Sequence, residues 1–103
     1  MRDDRFIVET AEREEIIGRC FASLTPLALK QFPAREKRKL VVLDVIASKF
    51  EPGKRYNYKE MDGILKSIYS DHALIRRYLV SYGFLNRTLD NGEYWVVEAG
   101  RPA

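Results

Sequence analysis

Asp71-His72-Ala73-Leu74-Ile75-Arg76-Arg77-Tyr78-Leu79-Val80-Ser81-Tyr82-Gly83 has apolar side chains at positions 74, 75, 78, 79 and 82. At about 100° per residue these fall in one stripe. The spacing predicts an amphipathic helix over 71–82 that buries the stripe and leaves Ala73, Arg76, Arg77 and Val80 facing away. Asp71 is a good N-cap for it, and Gly83 supplies the left-handed conformation that closes a last turn. Beyond the stop, Phe84-Leu85-Asn86-Arg87-Thr88 and Tyr94-Trp95-Val96-Val97 are rich in β-branched and aromatic residues. Asp90-Asn91-Gly92 between them tolerates positive φ, so the two runs are predicted to form a hairpin.

Upstream, Asn57 caps a predicted helix running to about Tyr69, with Met61, Ile64, Leu65 and Ile68 inward. Glu51-Pro52-Gly53-Lys54 has Pro and Gly in the order of a type II turn, and Arg55-Tyr56 follows as a short strand. Residues 34–50 predict a further helix. Leu40, Leu43, Ile46, Ala47 and Phe50 make one face, but Val41 and Val45 lie on the other, and a helix apolar on two faces wants two partners. The second partner is a helix expected at 11–23, from the same chain or from a second subunit. Thr10 caps that helix, Glu12, Glu14 and Glu15 suit its dipole, and Ile16, Ile17, Cys20, Phe21 and Leu24 repeat at helical spacing. Thr25-Pro26 reads as another cap, opening a short helical turn with Leu27, Leu29 and Phe32 before Pro33. Phe6-Ile7-Val8 is read as extended.

Helix, short strand, two helices and a hairpin in this order make an α+β winged helix-turn-helix with an N-terminal helical extension. That scaffold is used most often to place a helix in the DNA major groove. The expected division is an extension over 1–26, the winged domain over 27–99 and a loose tail over 100–103.

The 103 residues suffice for one core. With 46% hydrophobic and 32% charged residues, composition is that of an ordinary globular protein, and no apolar run approaches a membrane span. The start, Met1 to Arg5, is charged and unlike a signal peptide, and the single Cys20 forms no internal disulfide, so a cytoplasmic location is expected. The net charge of +3 is uneven: residues 1–29 hold four Arg against six acids, residues 30–103 fourteen Lys/Arg against nine. The basic part is the part with the winged pattern, which favours a polyanionic partner without requiring one.

Arg76 and Arg77 lead the candidate DNA contacts, because a guanidinium suits both guanine edges and phosphates. The alternative is pairing with Asp71, Glu60 or Asp62 on the protein itself. Ala73 and Val80 are small enough to approach thymine methyls, or a second subunit, and His72 lies at the helix start. Arg35, Lys37, Arg38 and Lys39 crowd a helix start, where positive charge opposes the dipole by about 0.3–1 kcal/mol each and a phosphate would offset it. A solvated face explains them equally. Arg87 and Asn91 in the wing are placed to touch the minor groove or backbone. Ile16, Ile17, Phe21, Val41 and Val45 form the expected dimer surface. The concentration of Tyr and Trp in the second half fits core filling better than base stacking. One Cys and one His, no clustered metal ligands and no phosphate-cradling glycine loop give no basis for catalysis, a metal or a cofactor.

The run Leu29-Lys30-Gln31-Phe32-Pro33, the basic stretch Arg35 to Lys39, Phe50-Glu51-Pro52-Gly53-Lys54-Arg55-Tyr56, then Asp71 through Arg76-Arg77-Tyr78-Leu79-Val80 to Gly83, and Tyr94-Trp95 together resemble the bacterial domain of unknown function 2087 family. The resemblance spans about residues 27–97. It implies a winged-helix-like domain that occurs alone or behind a separate helix-turn-helix regulator, with a role in transcription. It brings no catalytic or binding residues. The expectation is therefore a DNA-binding bacterial regulator, homodimeric, with helix 71–82 reading double-stranded DNA. The alternative is a winged module for protein interaction, dimerisation or small-ligand sensing without DNA affinity.

Overall fold

The computed structural model describes residues 9–97; the Phe6-Ile7-Val8 patch and the tail over 100–103 lie outside them. The order is α1 (Thr10–Cys20), β1 (Phe21–Leu24), β2 (Leu27–Leu29), α2 (Glu36–Ala47), β3 (Tyr56–Asn57), α3 (Tyr58–Ile68), α4 (His72–Ser81), β4 (Leu85–Arg87) and β5 (Glu93–Val96). The class is α+β. β1 and β2 form an antiparallel hairpin, and β3, β5 and β4 form a three-stranded antiparallel sheet with β5 central.

Both ends of α4 follow from local chemistry. The Asp71 carboxylate accepts from the Leu74 amide at 3.4 Å. At the other end Gly83 has φ +84°, its amide donates to Val80 O, and the Phe84 amide donates to Leu79 O at 2.9 Å. This is a Schellman closure, which turns the chain directly into β4 and buries Phe84. Between the ends, Ile75 and Leu79 are fully buried, while Leu74, Tyr78 and Tyr82 are half-buried. α3 starts on a complete capping box: Asn57 accepts from the Glu60 amide at 2.8 Å, and Glu60 accepts from the Asn57 amide at 2.9 Å. Its Met61 and Leu65 are likewise sealed from solvent.

The segment expected as helix to residue 23, with a new helical turn after Pro26, is instead the β1–β2 hairpin. Phe21, Cys20 and Leu24 satisfy helical spacing, but Leu27-Ala28-Leu29 alternates with period two. The hairpin buries Phe21, Leu27 and Leu29 while leaving Leu24 at the exposed turn. β2 packs against α3. The end of α1 gains from this, since Cys20 O accepts from the amides of both Lys30 and Gln31, at 2.7 and 3.2 Å.

α1 of the same chain covers the second face of α2. Arg13 pairs with Asp44 at 3.1 Å and Lys37 with Glu12 at 3.1 Å across that contact. Of the residues expected at a dimer surface, Ile16, Phe21 and Val41 are buried within one chain, and Ile17 and Val45 pack half-buried against the same core. The division at residue 26 also falls in the hairpin turn, and residues on both sides of it share one core. Among the described residues, no helix is long and apolar enough to cross a membrane.

Replacing Gly83 with Ala meets no neighbouring atom but keeps a β-carbon in the left-handed region. The expected cost is about 1–2 kcal/mol of stability, measurable as a lowered urea midpoint with an unchanged slope. An unshifted midpoint would show that the closure of α4 does not need this conformation.

Candidate functional site

The Schellman closure sends β4 back along α4, so the helix and the β4–β5 hairpin become the two walls of a cleft. Its volume is about 780 Å³, and it is lined by Tyr58, Arg76, Arg77, Tyr78, Val80, Ser81, Arg87, Asn91 and Tyr94. Among the described residues, three arginines and no carboxylate face it.

The two adjacent arginines of α4 are in different states. The Arg76 side chain is only 17% exposed, with its guanidinium 3.2 Å from Asp62 Oδ1 and its charge 5.0 Å from the centre of the Tyr58 ring. His72 Nδ1 lies 2.7 Å from the same Asp62 oxygen. That nitrogen is buried and has no other hydrogen-bond partner, so the contact is favourable only with the ring proton on Nδ1. Tyr58 and Asp62 are four residues apart on α3, and His72 and Arg76 are four apart on α4. The helical repeat places each pair on one face, and the two faces meet as a polar latch between the helices. Arg77, one position on, is exposed and has no carboxylate partner among the described residues. Of the other α4 positions, Ser81 is exposed, Ala73 is half-buried, and Val80 packs half-buried on the core at the cleft wall.

On the hairpin wall, Arg87 pairs in register with Tyr94, and its guanidinium donates to Thr88 O at 3.2 Å. The turn beyond is held by side chains. Thr88 Oγ1 donates to Asp90 Oδ1 at 2.7 Å, and the Gly92 amide donates to Asp90 Oδ1 at 2.9 Å. The Glu93 amide donates to Thr88 Oγ1 at 3.1 Å. Asn91 sits at φ +61°, which Asn tolerates better than most residues. The hydroxyl of Thr88, with the Gly92 amide, holds the Asp90 carboxyl below the usual carboxylate range. This fixes the tip while leaving Leu89 fully exposed.

The basic run at the start of α2 does not act as one patch. Lys37 turns to Glu12 on α1. Arg38 lies on the Cys20 side: burial pushes the Cys20 thiol pKa up, opposed by the charges of Arg38, Arg19 and Lys30. Arg35 is exposed at the start of α2. Lys39 alone reaches the α4 surface, with Nζ 3.4 Å from the Tyr78 hydroxyl and 4.8 Å from its ring centre. Tyr78 is further clamped by stacking on Phe32 at 5.0 Å. The neighbouring Tyr82 hydroxyl donates to Glu36 at 2.8 Å, so an acid borders the patch on that side.

Tyr58, Ser81 and Tyr94 are cleft residues that sequence reasoning did not select. Tyr58 was legible in principle: directly after the Asn57 cap and one turn before Asp62, it stands on the face of α3 that meets α4. Its 47% exposure sets it apart from the core tyrosines.

The geometry thus defines a small α+β domain with a cationic, tyrosine-lined cleft between a helix and a hairpin. A family model described as "Uncharacterized protein conserved in bacteria (DUF2087)" matches residues 28–96, and the chain belongs to that family. The match runs from β2 to the end of β5 and takes in the whole cleft, with α1 and β1 before it. No curated protein and no solved structure matches the chain.

Two outcomes follow from the latch and the turn. Asp62→Ala leaves His72 and Arg76 without their shared acceptor and is expected to cost about 1–3 kcal/mol in urea unfolding; no loss would show that the latch is idle. Asp90 has a lowered folded-state pKa, so the turn it anchors is intact above the ordinary carboxylate range. The anchoring is lost as pH falls through the lowered value. The carboxyl carbon of Asp90 is expected to titrate below that range, and Thr88→Ala to move the midpoint back up. An ordinary midpoint in both proteins would contradict the network.

Proposed function

We propose that this chain is a winged-helix DNA-binding domain of a bacterial transcriptional regulator, with α4 as the helix that enters the major groove and the β4–β5 hairpin as the wing. The observation that carries the reading is the cleft between them, with Arg77 and Arg87 on opposite walls and no acid facing it among the described residues. Major and minor grooves of a duplex are separated by one sugar-phosphate strand. A helix in one groove and a hairpin at the next therefore straddle that strand, and the cleft is where its phosphates run.

The roles divide by the state of each side chain. Arg77, Arg87, Asn91 and Ser81 are on the strand-facing walls, and Lys39 lies beyond Tyr78. Arg76, held by Asp62, positions α4 against α3 and stays within reach of the duplex only through its cleft-facing edge. Such an interface is dominated by phosphate contacts, so its affinity falls steeply with salt and its sequence preference is modest. Val80 and Ala73, half-buried, offer little surface to base methyls. No catalytic step belongs to this reading.

A second reading has a specific observation behind it. A cleft of this size with tyrosines in its wall also suits a small ligand, which makes the domain a sensor.

In fluorescence anisotropy with a mixed-sequence duplex, log affinity is expected to fall linearly with log salt. Arg77→Ala and Arg87→Ala are each expected to lower the slope by about one. Absence of binding at low salt by folded protein, or a slope untouched in the double variant, would overturn the proposal.

A further inference from the structure

The cleft holds more than a phosphate strand needs. Its about 780 Å³ lies within the range of small-molecule sites, roughly 300–1,000 Å³. Its polar groups can all donate to an anion, through the guanidiniums of Arg77 and Arg87, the side-chain amide of Asn91 and the hydroxyl of Ser81, and no carboxylate lines it among the described residues. Arg77 and Arg87 have no carboxylate partner among the described residues, so their charge is available to a ligand.

The aromatic groups of the wall differ in the same way. Tyr94 is buried at the cleft floor, and Tyr78 is occupied by Phe32, Tyr82 and Lys39. Tyr58 keeps nearly half its surface open. The Arg76 guanidinium lies over its ring, pinned from behind by Asp62. Arg76 backs one face of the Tyr58 ring and holds it as a fixed ledge, whose open surface is the kind on which a planar heteroaromatic ring stacks. The capping box holds this ledge in place, because Tyr58 is the residue directly after the Asn57 cap.

We propose that the cleft is a mononucleotide site, with the phosphate on Arg77 and Arg87 and the base on the Tyr58–Arg76 ledge, and that a bound nucleotide excludes duplex DNA. The nucleotide site uses the same cleft as the DNA reading but does not depend on it, whereas the exclusion of duplex rests on that reading. Free nucleotide and the end of a nucleic-acid strand present the same phosphate and ring. The site as described takes one ring and one phosphate group, so the free form is the ligand assigned.

Isothermal titration calorimetry of the full chain with adenosine monophosphate, adenosine and inorganic phosphate tests this. The nucleotide is expected to bind one site per chain, more tightly than either of its halves. Arg77→Ala/Arg87→Ala is expected to abolish binding. Tyr58→Ala is expected to weaken nucleotide binding about tenfold and leave phosphate unchanged. Tyr58→Phe, which keeps the ring, is expected to restore it, so a folding defect in the Ala variant would be recognised. Phosphate binding as tight as nucleotide binding, or nucleotide binding unchanged in Tyr58→Ala, would overturn the proposal, as would the absence of saturable binding. A labelled duplex added to the same samples separates the two readings. Duplex binding indifferent to nucleotide overturns the site and leaves the DNA reading standing. Nucleotide binding by a protein with no duplex affinity supports the site and overturns the DNA reading.

Discussion

Burial of Ile75 and Leu79 is the constraint on which the rest of the molecule depends. Both are fully sealed from solvent, against α2, α3 and the sheet, and burial of each stabilises the fold by about 1.5–3 kcal/mol. A helix of 10 residues is marginal alone, so α4 exists because this stripe is covered. Once the stripe is inward, its helical repeat decides the direction of every other side chain. His72 and Arg76 fall toward α3, Arg77 and Ser81 toward solvent, and Tyr78 and Tyr82 toward α2. The Gly83 closure then brings β4 alongside. The cleft is a consequence of packing, with its chemistry supplied by residues that packing leaves over.

Electrostatics sharpens that division. On the α4 surface, Asp62 takes Arg76 and His72 and leaves Arg77 to solvent. On the far side of the sheet, Arg55 pairs with Glu93 at 3.1 Å and lies 3.9 Å from the Trp95 ring centre, so its charge is likewise satisfied within the fold. The modest net charge of +3 therefore understates the cleft. Arg77 and Arg87 stand on facing walls that hold no acid among the described residues, and that local arrangement matters more for binding an anion than the total.

Much of this was legible in the sequence where local rules and global packing agree. Asn57 before α3, Asp71 before α4, Gly83 after it and Asn91 in the turn each mark a boundary by one physical requirement, and the structure uses each of them. Residues 21–29 were not legible in the same way. Phe21 and Leu24 fit a helical period as well as a strand, and three or four residues are too few to separate periods of 3.6 and 2.0. What decides for the hairpin is tertiary, the packing of β2 on α3. The second partner of α2 was open for a related reason: Val41 and Val45 show that α2 needs one, but only the structure shows that α1 of the same chain covers that face. In the site, Arg76 and Arg77 stood side by side with identical chemistry, and nothing short of the α3–α4 contact could tell the held one from the free one.

On the proposed reading, anions are received in the cleft between α4 and the β4–β5 hairpin. The most direct test is backbone amide chemical-shift mapping of the labelled protein during titration with a short duplex. The account expects the largest changes at Arg77, Ser81, Arg87 and Asn91, with α1 and the β1–β2 hairpin unmoved. Changes centred on α1, or no change at low salt, would contradict it.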